Sequence, residues 1–343
     1  MRQLISIPVI ALLVLSMFSA AFAGDPARIG TAAGEQLLIP VGARDLAVGG
    51  SNIAYSNGLD AMYWNPAGLS KMENTAMGTF STMSIFNTID VNYLGLAFNV
   101  GRLGTLGFSL KVLDFGDVPL TTNQDMDGET GATFSPSFLT AAVTYSRRLS
   151  DNVQVGVNGK LVSESVPRAS ASAFAFDMGI QYHDLGGIPG ISMGLAVKNI
   201  GTNISYDGSA FLNQAIDVGG DRQEFRERPT ATHELPATVE LGVGYRRNIN
   251  EENSVTVMGN FENFNFGNDN FKFGAEYNYN NLVFLRGGYL ITQNIDAEEQ
   301  LYRFTLGVGL HYSLGNTAFN LDYAFRDSQY FDGNNLFSIT LGF

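Results

Sequence analysis

From about Thr75 to the last residue, apolar side chains recur at every second position, in one segment of roughly ten residues after another. Period two is the signature of a strand with two unlike faces. A slip of one residue would exchange those faces, so the pattern also says which way each side chain points. The alternation predicts fourteen strands, near 75–84, 91–100, 104–115, 136–149, 153–165, 171–183, 190–200, 237–248, 254–265, 270–280, 282–290, 301–313, 317–327 and 335–343. In 153–161, Val153, Val155, Val157 and Leu161 share one face, opposite Gln154, Gly156, Asn158 and Lys160. In 301–313, Phe304, Leu306, Val308, Leu310 and Tyr312 oppose Arg303, Thr305, Gly307, Gly309 and His311. In 317–327, Phe319, Leu321, Tyr323 and Phe325 oppose Asn320, Asp322, Ala324 and Arg326.

A soluble sandwich alternates too, but three features separate this chain from one. Its strands have the length that a tilted strand needs to cross a bilayer. Its polar faces are mostly small and uncharged, with isolated charges between glycines and serines. Its connections alternate in length. Arg102-Leu103, Ser150-Asp151-Asn152, Asn280-Asn281 and Leu314-Gly315-Asn316 are tight turns, whereas 116–135, 201–236, 291–300 and 328–334 are longer. Short turns on one side and long loops on the other are the pattern of an outer-membrane barrel. The expected fold is therefore all-β, a 14-stranded antiparallel transmembrane β-barrel over residues 73–343. An even count leaves both ends of the barrel on the short-turn, periplasmic side. The final strand, with Phe337, Ile339, Leu341 and Phe343 at alternate positions, resembles the terminal signal read by the bacterial barrel-assembly machinery.

Composition agrees once the two faces are averaged. Hydrophobic residues make up 45%, charged residues 15%, and mean hydropathy is +0.04. Lipid-facing and lumen-facing positions cancel in that mean. A net charge of −13 argues against a nucleic-acid partner, and the absence of cysteine excludes disulfides and thiolate metal sites. His183, His233 and His311 are too scattered for a metal set. Asn123 to Gly128 resembles the start of a calcium loop, but the twelve-residue register puts Phe134 where a bidentate Glu belongs. A solvated acidic loop is the expectation there. Gly307-Val308-Gly309 lies inside a strand and is no phosphate loop. With no nucleophile, base and orienter in sight, a non-enzymatic protein without cofactor or metal is expected.

The N-terminus has a different character. Arg2 is the only charge before Asp25, the run Leu4 to Ser19 is apolar, and Ala21-Phe22-Ala23 is a small-x-small site. This reads as a secretory signal peptide over 1–23, with a membrane-anchor helix as the alternative. Export of a cysteine-free chain suits a Gram-negative envelope. Residues 24–72 do not alternate and are rich in small residues, and the sole tryptophan, Trp64, needs a place to pack. The segment is expected to be a plug or hatch in the barrel, with a short helix over Leu59 to Trp64 ended by Asn65-Pro66. A partly ordered periplasmic extension is the alternative. Alternation places Lys111, Lys160, Glu164, Asp177, Lys198, Glu240, Arg246, Glu262, Lys272, Glu276, Arg286, Arg303, Asp322 and Arg326 in the lumen, where they are expected to pair and solvate the interior.

Gly42-Ala43-Arg44-Asp45-Leu46-Ala47-Val48-Gly49-Gly50, followed by Asp60-Ala61-Met62-Tyr63-Trp64-Asn65-Pro66-Ala67-Gly68-Leu69, resembles the N-terminal signature of the PorV/PorQ family. That family belongs to the wider FadL-like superfamily of fourteen-stranded outer-membrane barrels. Asn65, Pro66, Ala67 and Gly68 are shared with FadL-type transporters of hydrophobic compounds, where the element lies in the hatch. Gly42, Ala43, Arg44, Gly49 and Gly50 lean toward PorV/PorQ. The resemblance implies a role in type IX secretion, with the C-terminal domains of secreted cargo or secretion-system subunits as partners. The alternative is uptake of hydrophobic small molecules, against which the mixed lumen charges count. The loop 201–236, with Asp217, Asp221, Arg222, Glu224, Arg226, Glu227 and Arg228, is long enough to cover the mouth or meet a partner.

Overall fold

The computed structural model describes residues 26–86, 88–216, 223–315 and 317–343. The expected signal peptide, Asp217, Asp221, Arg222 and the turn residue Asn316 lie outside them.

Fourteen strands form one closed ring. They are β1 (Ala76–Ile85), β2 (Ile89–Asn99), β3 (Thr105–Asp114), β4 (Ser137–Arg148), β5 (Val153–Val166), β6 (Ala169–His183) and β7 (Ile191–Gly201). They continue as β8 (Thr238–Asn248), β9 (Asn253–Phe264), β10 (Asn270–Tyr279), β11 (Val283–Thr292), β12 (Phe304–Leu314), β13 (Thr317–Arg326) and β14 (Asn334–Gly342). Each pairs antiparallel with its neighbour in sequence, and β1 pairs with β14, Met77 opposite Gly342. Closure removes every free edge, which is what a sheet in lipid requires.

The alternation has the expected sense. On β12, Thr305, Gly307 and Gly309 point inward and are covered, while Leu306 (55% exposed) and Leu310 (52%) point out. On β5 the inward set is Gln154, Gly156, Asn158, Lys160, Val162 and Glu164. The outer wall is a continuous apolar band of the kind that a bilayer covers.

Two departures from the expected pattern bear on the lumen. β12 begins at Phe304, three residues later than expected; just ahead of it the Gln300 amide donates to the carbonyls of Leu290 and Tyr302 (2.8 and 2.5 Å), and the Leu290 N–H donates to the Arg303 carbonyl (2.7 Å). Between β6 and β7 the register shifts at Phe176 and Met178. This bulge turns both Lys198 and Asn199 inward, where both are buried.

The connections follow the expected two-sided pattern. At the long-loop rim, Val118–Pro119 pairs with Thr133–Phe134, Tyr206–Asp207 pairs with β6, and Leu212–Ile216 with Gln223–Glu227 form a hairpin. In the 116–135 loop the Asp125 carboxylate accepts the N–H groups of Glu129 (2.9 Å) and Thr130 (3.0 Å). It also accepts the Thr130 hydroxyl and so brackets a turn; that hydroxyl first, then the N–H groups, hold its pKa below the ordinary value.

The barrel's own ends do share the short-turn rim, where the Ala76 N–H donates to the Phe343 carbonyl (3.1 Å). The described chain, however, begins at the opposite rim. The Ala33 N–H donates to the Glu234 carbonyl (3.0 Å), Arg28 pairs with Glu234 (2.9 Å), and His233 meets the Thr31 carbonyl (3.2 Å). From there the chain crosses to Asn74, beside Gly342. Residues 28–33 and Phe343 therefore lie at opposite rims.

Candidate functional site: the lumen and its N-terminal segment

Residues 35–72 touch the inward face almost all the way round the ring. Lys111 of β3 donates to the Gln36 and Ile39 carbonyls (2.7 and 3.0 Å). Ser146 of β4 donates to Ala67 (2.8 Å), Asn158 of β5 to Met62 (3.1 Å), and Gln181 of β6 to Ile53 and Ser56 (both 2.9 Å). Asn260 of β9 donates to Gly50 (3.3 Å) and Thr305 of β12 to Ala47 (2.9 Å). Inward polar side chains thus satisfy backbone carbonyls that the irregular segment cannot satisfy itself.

The residues singled out from the sequence meet here. Gly42 sits over the Asp60 carboxyl and opens the helix Ala43–Ala47, whose first N–H, on Ala43, donates to Ser338 of β14 (2.9 Å). Arg44 donates to Asn57 and lies 3.7 Å from Glu276. Gly49 lies on the backbone of Gly288. Gly50 has φ +70°, and a Cβ there would fall 2.5 Å from the Trp64 ring. Trp64 ends the short helix Ala61–Trp64, as expected, and its Nε1 donates to the Val41 carbonyl (2.9 Å). The Asn65 Oδ1 accepts from the Ala67 N–H (3.2 Å) and so caps the 3-10 turn Pro66–Lys71, while its Nδ2 donates to Ile53 (2.9 Å) and Ile180 of β6 (3.3 Å). Pro66 rests against Gly156 of β5, and Gly68 is pressed against the Ser56 carbonyl. The other group, Phe337, Ile339, Leu341 and Phe343, is not part of this assembly. Phe337, Ile339 and Leu341 project from the outer face of β14, Phe343 follows its end, and all four are 39–59% exposed.

Most lumen charges neutralise one another. Asp177 pairs with Lys160 (2.6 Å) and accepts from the Asn199 N–H at the bulge (2.8 Å). Glu240 lies between Lys198 (2.5 Å) and Lys272 (3.3 Å), and Lys272 also reaches Glu262 (3.0 Å). Arg286 joins Glu276 (2.8 Å) to Asp322 (2.6 Å), and His311 lies 3.1 Å from Asp322.

Between the segment and the long-loop ends of the strands lies a cavity of about 240 Å³. The segment supplies Leu37, Leu46, Tyr63 and Trp64, and the wall supplies Phe264, Leu290 and Tyr302. Lys198 sits over both aromatic rings of the segment, 5.1 Å from Tyr63 and 5.6 Å from Trp64. A smaller hollow, lined by Met62, Tyr93, Lys111 and Lys160, shares Leu37 and Tyr63 with it. Alternation alone did not assemble this site. Tyr302 and Arg303 both line the cavity, though strand parity would send them to opposite faces, because β12 has not yet begun there. Leu37 lies in a stretch without any period.

The class these features define is a transmembrane β-barrel of outer-membrane type with an occupied lumen. No family model matches the chain, and no curated protein matches it. Among solved structures it is similar to the monoaromatic hydrocarbon channel CymD (14% identity, 89% of this chain and 98% of that one, TM-score 0.52). It is similar also to the toluene transporter TbuX of Ralstonia pickettii (14%, 89% and 98%, TM-score 0.53) and to the toluene transporter TodX of Pseudomonas putida (14%, 88% and 97%, TM-score 0.52). At this identity the likeness shows a shared fold over nearly the whole chain.

Proposed function

We propose that the protein is an outer-membrane channel for small hydrophobic molecules, with residues 26–72 as the plug that keeps the lumen from being an open pore. The observation that carries this reading is the aromatic-lined cavity between plug and wall, in a barrel that shares its fold with hydrocarbon channels. A pre-formed, largely apolar recess with a few polar groups is the ordinary form of a small-molecule site. The lumen charges, which counted against the reading at the level of sequence, are mostly spent on one another. On this reading residues 28–33 lie on the extracellular side and Phe343 on the periplasmic side, and Phe337, Ile339, Leu341 and Phe343 serve the barrel-assembly machinery during biogenesis.

The test is uptake of labelled toluene by outer-membrane vesicles from a Gram-negative host producing the protein. Faster, saturable uptake than in vesicles from the same host without it is expected. Equal uptake would refute the channel.

A second reading, protein secretion in the manner of PorV/PorQ, draws on the hairpin at 212–227, where Phe225 stands 72% exposed and Leu212 44%. It predicts that cargo C-terminal domains or secretion subunits co-purify with the full chain and are lost when Phe225 is changed to Ser.

A further inference from the structure

The cavity is electrostatically unlike the rest of the molecule. The chain carries a net charge of −13, yet Lys198, Lys272, Arg303 and Arg326 line the cavity against a single lining carboxylate, Glu262, among the described residues. The two lysines are held by Glu240 and Glu262, and Arg303 has Asp327 at 4.0 Å. Arg326 stands apart. It is only 9% exposed and it lines the cavity. Its Nε and Nη2 both go to the neutral Oδ1 of Asn334 (3.1 and 2.8 Å), its guanidinium lies 3.7 Å from the centre of the Tyr302 ring, and among the described residues no carboxylate pairs with it.

A buried cation without an anion is costly, and proteins normally pair it. Here the missing partner has room to come from outside. We infer that the cavity takes a compact organic anion, a one-ring carboxylate, with its carboxylate on Arg326 and its ring against Tyr302 and Trp64. Size supports the ring: a cavity of about 150 Å³ holds benzene, and about 240 Å³ leaves space for one substituent. The planar guanidinium fork suits a carboxylate in two-point contact. The inference rests on the channel reading and narrows it from neutral hydrocarbons to their acids.

Trp64, the sole tryptophan, lines the cavity and reports on its contents. In the mature chain in detergent at neutral pH, benzoate should change Trp64 fluorescence saturably and bind at least tenfold more tightly than methyl benzoate, its uncharged counterpart. Arg326→Gln, which can still bond to Asn334, should weaken benzoate tenfold or more and leave methyl benzoate within twofold. Arg326→Lys, which keeps the charge but not the fork, should weaken benzoate less than Arg326→Gln does. Heat-modifiable migration shows that each variant has folded. If benzoate binds no better than methyl benzoate, or if folded Arg326→Gln loses both alike, the inference is overturned. Toluene uptake by vesicles is scored separately, so the channel can survive while the anion preference fails. Benzoate binding without any vesicle uptake would uphold the site and overturn the channel.

Discussion

Gly68 is held where no other residue fits. A Cβ at this position would lie 2.0 Å from the Ser56 carbonyl oxygen and 3.0 Å from the Ala61 Cβ. Overpacking of this kind costs about 1–3 kcal/mol, and it would fall on the joint between the two short turns of the segment. Gly68→Ala is therefore expected to lower the temperature at which heat-modifiable migration is lost and to expose Lys71 to trypsin, while the barrel still assembles. Asp125 acts at the same scale on the outside. Its carboxylate accepts three donors, so its pKa lies below the ordinary 3.8. A depressed pKa means that the bracket is intact above 3.8 and is lost as pH falls through the lower folded value. Cleavage of the 116–135 loop by an acid protease should rise steeply below that pH in the native chain and be high throughout in Asp125→Ala. Constant protection across the range would show that the bracket does not hold the loop.

Strands were far more legible than what lies between them. β5 and β13 could be read residue by residue because lipid demands apolar side chains on one face and tolerates others on the inner face. That logic assigned Arg286, Glu276 and Asp322 to the lumen, but not to each other, since parity carries no information about pairing across β10, β11 and β13. It failed at Tyr302, where the chain had left the strand, and at the bulge that turns Lys198 and Asn199 to the same side. It was silent on where residues 28–33 would lie, because the contact of Ala33 with Glu234 joins two stretches without period. The pairing that emerged is testable. Arg286 is fully covered between Glu276 and Asp322. Removing one member of a buried ion pair costs about 3–5 kcal/mol. Arg286→Met should markedly lower the unfolding temperature, whereas the double change Glu276→Gln with Asp322→Asn in the same background should recover much of it. No recovery would mean that the network does not work as a unit.

The whole molecule combines a wall that any outer-membrane barrel needs with an interior specific to this chain. The composition of residues 24–72 suggested an occupant for the lumen, and hydrogen bonds tie residues 35–72 to β3, β4, β6, β9, β12 and β14. Deleting 26–72 should raise ion conductance in planar bilayers well above that of the full chain, if the segment is what keeps the pore shut. Unchanged conductance would assign it a purely architectural role. The most direct measurement sets the cavity itself against transport. Leu290 lines the cavity from β11, and Leu290→Trp would fill it without altering residues 26–72. Toluene uptake by outer-membrane vesicles should fall to the background rate in this variant, with heat-modifiable migration and amount of barrel unchanged. Uptake equal to that of the unaltered protein would contradict the claim that small molecules pass through this cavity.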